Sequence, residues 1–182
     1  PGHKHIPMHL AAPQIEDRLV MMISASKTFN IAGARTGCVI IPDPALRARF
    51  AAFHRSLDMS PNLLGITLTR AAYSPDGAAW VDELINYLDG TATLFNDAVS
   101  AIPGVQAMPM QSTYLAWVDF SGTGMAPKEF LDRVHRQARI APTPGTQLGI
   151  GGQTFLRFNL GTQRARVQEA VDRLSAAFSD LQ

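Results

Sequence analysis

The sequence contains one cysteine and no long apolar run. With Cys38 alone, no internal disulfide can form, and the apolar run CVII around it suits a buried, inert thiol better than a nucleophile or metal ligand. The missing disulfide framework favours the cytoplasm. The apolar stretches are too short to span a bilayer, and the start PGHKHIPMHL lacks the apolar centre of a signal peptide, so no membrane partner is expected. An excess of charge of one sign is also absent. Sixteen basic residues against fifteen acidic ones leave +1, and only Arg164 and Arg166 form a short cluster, so no nucleic-acid footprint is expected.

What is present suffices for a core. With 46% hydrophobic residues, 182 residues can build one ordinary domain or two small ones. Pro1 is not an initiator methionine, and the first dozen residues follow neither a helix nor a strand period, so the chain reads as beginning mid-protein.

Leu19 to Ile23 and Cys38 to Ile41 are apolar and of strand length, which suits two buried strands of a mainly parallel sheet. Asp43 and Pro44 make a helix cap and first turn, followed by Leu46, Phe50, Phe53 and Leu57 at helical spacing up to Ser60 and Pro61. Further helices are expected over 62–73 and 76–102, the latter with Trp80, Leu84, Tyr87, Leu88, Leu94, Phe95 and Val99 on one side. After Pro103 and Gly104, QAMPMQ and STYLAWVDF read as strands, and a helix begins at Ala126 and Pro127. IAPTPG and TFLRFNLG are extended, and a last helix runs from Gln163 to about Phe178 with Val167, Ala170, Val171 and Leu174 as its buried stripe. Residues 1–75 read as the end of an α/β layer, 76–103 as a connecting helix and 104–182 as a small α+β domain.

Between the two apolar strands lies SASKTFNIAGARTG, polar and glycine-containing where its flanks are apolar, as when a sheet delivers a loop to a site. Lys27 alone is as compatible with a solvated position as with chemistry. The spacing S-x-S-K-x(7)-R-x-G adds the hydroxyls of Ser24 and Ser26 and the guanidinium of Arg35, which could turn toward one anion. A phosphate-bearing carbonyl ligand beside an amine nucleophile uses the whole set, and pyridoxal 5'-phosphate (PLP) is such a cofactor.

The loop resembles the PLP-lysine motif of fold-type I enzymes, the class I/II aminotransferase superfamily, and its Asn30, Ile31, Ala32 and Gly33 are similar to the cystathionine β-lyase-like subgroup. AAYSPDGAAWVDELINYL, QSTYLAWVDF, the Pro-Gly of TPGTQLG, and FLRFNLG follow in that subgroup's order, so the resemblance covers nearly the whole chain. It implies the end of the PLP-binding large domain, with its mainly parallel sheet and helices, followed by the small C-terminal domain. It further implies Lys27 as the Schiff-base lysine, Ser24 and Arg35 on the cofactor phosphate, Arg157 on the substrate α-carboxylate, an amino-acid substrate and a homodimer. The remaining cofactor contacts of such enzymes normally precede this part, so the chain is expected to be about the second half of one and a poor catalyst alone. The resemblance favours β-elimination from cystathionine or cysteine S-conjugates, with amino-group transfer to a 2-oxo acid as the alternative. Two readings of another kind are the effector-binding domain of a transcriptional regulator and a structural half that dimerises through exposed surfaces.

By period two, Arg157 points opposite to Leu156 and Phe158. Gly145 and Gly161 are expected at turns near this strand, and Tyr114 either borders the substrate channel or packs. His3, His5 and His9 lack the companions of a metal site, and no metal is expected. His54, His135, Met108 and Met110 form no acid–base constellation. GIGGQ at 149–153 lacks a following helix and reads as a turn rather than a nucleotide loop.

Overall fold

The computed structural model describes residues Gly2 to Leu181, which divide into two compact units, Gly2–Leu84 and the chain from Ile85 onward. The boundary falls inside one continuous helix. No helix among the described residues is long and apolar enough to cross a membrane.

The first unit contains β1 (Met21–Ile23) and β2 (Cys38–Ile40), preceded by the short helix α1 (Met8–Ala11) and followed by α2 (Pro44–Ser56), α3 (Leu63–Ala72) and the start of α4 (Pro75–Ser100). The cap expected at Asp43 is present: its carboxylate accepts the Leu46 N–H at 2.6 Å, and Pro44 fills the first turn, where its missing donor costs nothing. Asn62 caps α3 in the same way through the Gly65 N–H.

The two strands differ from the buried, parallel arrangement expected for them. They pair antiparallel with each other, Met22 opposite Val39, and Met22, Ile23, Val39 and Ile40 are exposed. A parallel neighbour requires a crossover that returns the chain to the sheet's starting edge, whereas here the loop from Ser24 to Gly37 folds straight back. These are also the only strands among this unit's described residues. The stripe expected on α2 is covered in part: Leu46 and Phe50 are half-buried, whereas Phe53 and Leu57 are exposed. Cys38, expected to be buried, is half-buried.

The second unit holds a four-stranded antiparallel sheet in the order β3-β4-β6-β5, built from β3 (Gln106–Ala107), β4 (Leu115–Asp119), β5 (Thr143–Pro144) and β6 (Phe155–Asn159). Beyond Ala107, the strand expected over QAMPMQ makes one more ladder bond, from the Met108 N–H to the Trp117 carbonyl, and then meets Pro109, which has no N–H to give. Alternation places Ala116, Val118, Leu156 and Phe158 on one face, all buried. Against that face pack Phe95 and Val99 of α4, Phe130 of α5 (Pro127–Asp132), and Val167, Val171 and Leu174 of α6 (Arg164–Ala177). Phe120 stacks on Phe130 at 5.0 Å and leans on Phe178 at 5.7 Å, so an aromatic cluster anchors this core.

Arg164 fastens the first turn of α6 to α4. Its backbone N–H donates to the Tyr87 hydroxyl, Nη2 to the Tyr87 carbonyl at 2.9 Å, and Nε to Thr91 Oγ1, while the guanidinium lies 4.6 Å over the Tyr87 ring. These bonds satisfy Thr91, the buried polar side chain of the described core, and explain Gly90, where a Cβ would lie 3.0 Å from Arg164 Nη2.

Candidate functional site

The loop that carries Lys27 begins where β1 ends. Phe29 N–H bonds to the Ala25 carbonyl and Ile31 N–H to the Ser26 carbonyl, both at 3.0 Å, so Lys27 rides on a single helical turn. Ser24 starts that turn: its Oγ accepts the Ser26 N–H at 3.0 Å and lies within hydrogen-bond distance of both Ser26 Oγ, at 2.6 Å, and the Thr36 carbonyl, at 3.1 Å. The hydroxyl thereby ties the departing end of the loop to its return. At that return Gly37 passes so close to β1 that a Cβ would stand 3.2 Å from the Ile23 carbonyl.

A short 3-10 turn, Ala32–Ala34, brings the chain to Arg35, whose backbone is left-handed at φ 47° and ψ 45°. Asn30, earlier in the same loop, also has positive φ, 53°. Asparagine takes positive φ readily, so the strain is concentrated at Arg35, on the order of 1–3 kcal/mol. Lys27 and Arg35 are exposed, and among the described residues neither side chain has a hydrogen-bond or ion-pair partner. Of the four positions read from the sequence, Ser24, Lys27 and Arg35 therefore share one clasped loop.

Behind this loop lies a cleft of about 440 Å³, touched by Ser24, Thr28 and Phe29 on one side and by Tyr73, Ser74 and Val81 on the other. Lys27 does not line it. Phe29 instead stacks on Trp80 at 5.4 Å, which gives Trp80 a role in supporting the loop that helical periodicity had assigned only to a general apolar face.

Arg157 belongs to the second unit and points as expected, away from the buried Leu156 and Phe158. It stands opposite Trp117 of β4 and Thr143 of β5, on the sheet face that the helices leave open. Its Nη2 donates to Thr143 Oγ1 at 3.2 Å, so one arm of the guanidinium is fixed. Trp117 stacks nearly parallel on Phe155 at 5.0 Å, forming an aromatic floor beside the arginine. Gly145 lets the chain pass under that floor: a Cβ there would lie 2.8 Å from the Trp117 ring and 2.2 Å from the Gly152 carbonyl. Gly161 meets the Tyr114 ring instead, where a Cβ would approach to 3.2 Å. The positive φ expected of turn glycines falls on Gly149 and Gly151 of the GIGGQ turn. On the same sheet face, burial pushes the Asp119 carboxyl up. Hydrogen bonds from Ser121 N–H and Oγ, from Thr154 and from Phe120 N–H outweigh it, holding the group below the usual aspartate value.

Residues 2–174 match the family model of aminotransferase class I and II. The chain belongs to that family. It is 37% identical to cystathionine beta-lyase PatB of Bacillus subtilis over 98% of its own length and 46% of that protein. It is 24% identical to the aspartate aminotransferase of Pyrococcus horikoshii, over 96% of the chain and 44% of that enzyme. Among solved structures, cystalysin from Treponema denticola, which contains a pyridoxal 5'-phosphate cofactor, matches all of the chain and 46% of its own, at 30% identity and TM-score 0.89. The chain thus spans about half the length of the relatives it matches, and its fold is the corresponding part of the PLP-dependent aminotransferase α/β fold.

The donor set on the loop fits PLP. A phosphate needs a guanidinium and hydroxyl donors, and the cofactor's aldehyde a primary amine. Arg35 and Lys27 carry theirs on one clasped segment, unpaired among the described residues, and the Ser24 hydroxyl at its foot would turn from the Thr36 carbonyl to reach a phosphate.

Proposed function

We propose that the complete protein is a PLP-dependent enzyme of amino-acid metabolism that eliminates a thiol from the β-carbon of cystathionine or another cysteine S-conjugate. The observation that carries this reading is the clasped loop, with an unpaired amine and an unpaired guanidinium eight positions apart, in a chain so similar to PatB. Ser24 and Arg35 would hold the cofactor phosphate, and Lys27 would bind the cofactor covalently. When bound, PLP supplies an electron sink for the pair released at the substrate α-carbon. The Lys27 amine, freed by the incoming substrate, takes the α-proton and can return it. Arg157 grips the substrate α-carboxylate, with Thr143 holding one arm of its fork. Loss of the β-substituent as a thiolate leaves products that decay to pyruvate and ammonia. The same reading includes a homodimer in the cytoplasm.

The similarity to an aspartate aminotransferase favours transamination as the second reading, since Lys27 and Arg157 serve either outcome. Incubating the complete holoenzyme with cystathionine separates the two. Stoichiometric thiol and pyruvate without any 2-oxo acid acceptor are expected; turnover that requires an acceptor and releases no thiol would assign the transferase.

Arg157→Lys keeps the charge but loses the bidentate geometry. Its KM for the amino acid is expected to rise roughly tenfold to a hundredfold, the equivalent of a lost charged hydrogen bond, with a smaller change in kcat. A steady-state KM within twofold of the parent would remove Arg157 from the carboxylate site.

A further inference from the structure

The left-handed conformation of Arg35 persists only if its neighbours are held from outside the loop. Asn62 does this with both ends of its amide. Oδ1 accepts the Gly65 N–H at 2.7 Å and caps α3, while Nδ2 donates to the Ala34 carbonyl at 2.8 Å, 28 positions away in sequence. The same Ala34 carbonyl accepts the Thr36 hydroxyl at 2.9 Å. Both residues flanking Arg35 are therefore tied to one oxygen, and that oxygen is tied to the start of α3.

Gly65 provides the second observation. It is buried, and a Cβ there would sit 1.8 Å from Thr36 Oγ1 and 2.8 Å from the Ala34 carbonyl. No side chain fits, so the first turn of α3 lies directly on the backbone of 34–36. Ala34 is itself buried while Arg35 faces out. The segment is thus clamped from beneath, and only the arginine side chain is free.

We infer that Asn62 is a positioning residue for the cofactor phosphate: by holding the Ala34 carbonyl it keeps Arg35 in the conformation that aims its guanidinium. This rests on the assignment of Arg35 to that phosphate. Helix capping alone is a weaker account, because a cap needs only the Oδ1 acceptor, and Nδ2 would then have no reason to reach a carbonyl in another element.

Asn62→Ser in the complete protein isolates the amide donor. Serine caps a helix about as well as asparagine but is too short to reach Ala34. The apo-protein would be titrated with PLP by absorbance, with inorganic phosphate as competitor, and its melting temperature recorded. Expected are a rise of about fivefold to tenfold in the Kd of PLP, in keeping with one lost hydrogen bond, and a matching weakening of phosphate competition. The apo melting temperature is expected to stay within about 2 °C, as for an exchanged cap. In an Arg35→Ala background, Asn62→Ser should raise the Kd no further. The inference is overturned, with the Arg35 assignment intact, if Arg35→Ala weakens PLP while Asn62→Ser changes only the melting temperature. It is overturned equally if Asn62→Ser weakens PLP as much without Arg35 as with it. If Arg35→Ala leaves both PLP and phosphate binding unchanged, the assignment of Arg35 falls and this role of Asn62 falls with it.

Discussion

Lys27→Ala in the complete protein is expected to abolish the covalent lysine–cofactor link and to lower turnover by about 10³-fold or more. The size follows from two losses at one atom: the attachment that presents the cofactor to substrate, and the base that moves the α-proton, the latter alone accounting for roughly 10²–10⁴-fold. The residue stands on a single helical turn between two strands, exposed and unpaired, so its removal leaves no buried partner unsatisfied and should not disturb the fold. Borohydride reduction followed by peptide mapping reads the result directly. A cofactor label on the peptide containing Lys27 in the parent, absent from the variant, is the expected outcome. A label that persists elsewhere in the variant, with turnover retained, would show that another lysine does the chemistry.

Phe120→Ala is expected to be the most damaging single change to the second unit, at about 3–5 kcal/mol. Phe120 is 1% exposed and touches two further phenylalanine rings, Phe130 and Phe178, each of them buried. Truncation removes the transfer free energy of one ring and the edge and face contacts of two others, and rigid strands and helices around the cavity limit its collapse. A fall in melting temperature of roughly 10 °C corresponds to this loss. Arg136→Ala supplies the contrast. Its ion pair with Asp132 spans 3.7 Å, with the arginine side chain 82% exposed, so the change should stay within about 0.5 kcal/mol. Equal effects from the two variants would contradict the placement of the core around Phe120.

Elements legible in the sequence were those governed by local chemistry. Asp43 before Pro44 announces a helix start whatever lies around it, because cap and ring act within one turn, and α2 begins there. Val167, Val171 and Leu174 recur at helical spacing and are buried as the period requires. Alternation in FLRFN turns Arg157 away from the core, as observed. That Ser24, Lys27 and Arg35 share one loop was legible for a related reason: they lie on one short segment, so their association needs no long-range contact.

Other features depend on partners far away in the chain, and no local pattern carries them. Apolar β1 and β2 read as buried strands, but whether an apolar strand is covered is decided by what packs on it, and in the first unit Met21 and Cys38 are half-buried while Met22, Ile23, Val39 and Ile40 are exposed. The strand pairing is decided by the path of the loop, which Ser24 and Thr36 close across twelve positions. Asn62 reads only as the first residue of the helix expected over 62–73; its bond to Ala34 exists only because α3 folds back onto the loop. Arg164 reads as one of a short basic cluster and serves instead as the fastening on Tyr87 and Thr91.

By itself, then, the sequence determined where α2, α3, α4 and α6 lie, which stripe of α6 is apolar, which way Arg157 points from β6, and which residue types the loop around Lys27 carries. These are set by dihedral preference, side-chain period and covalent neighbourhood, all of which act within a few residues. Only the tertiary structure decided that Arg35 is held left-handed from beneath, that Thr143 steadies Arg157, and that Gly65 and Gly145 must lack a side chain. Those outcomes require atoms distant in sequence to meet at van der Waals or hydrogen-bond distance, and close packing is a property of the folded chain alone.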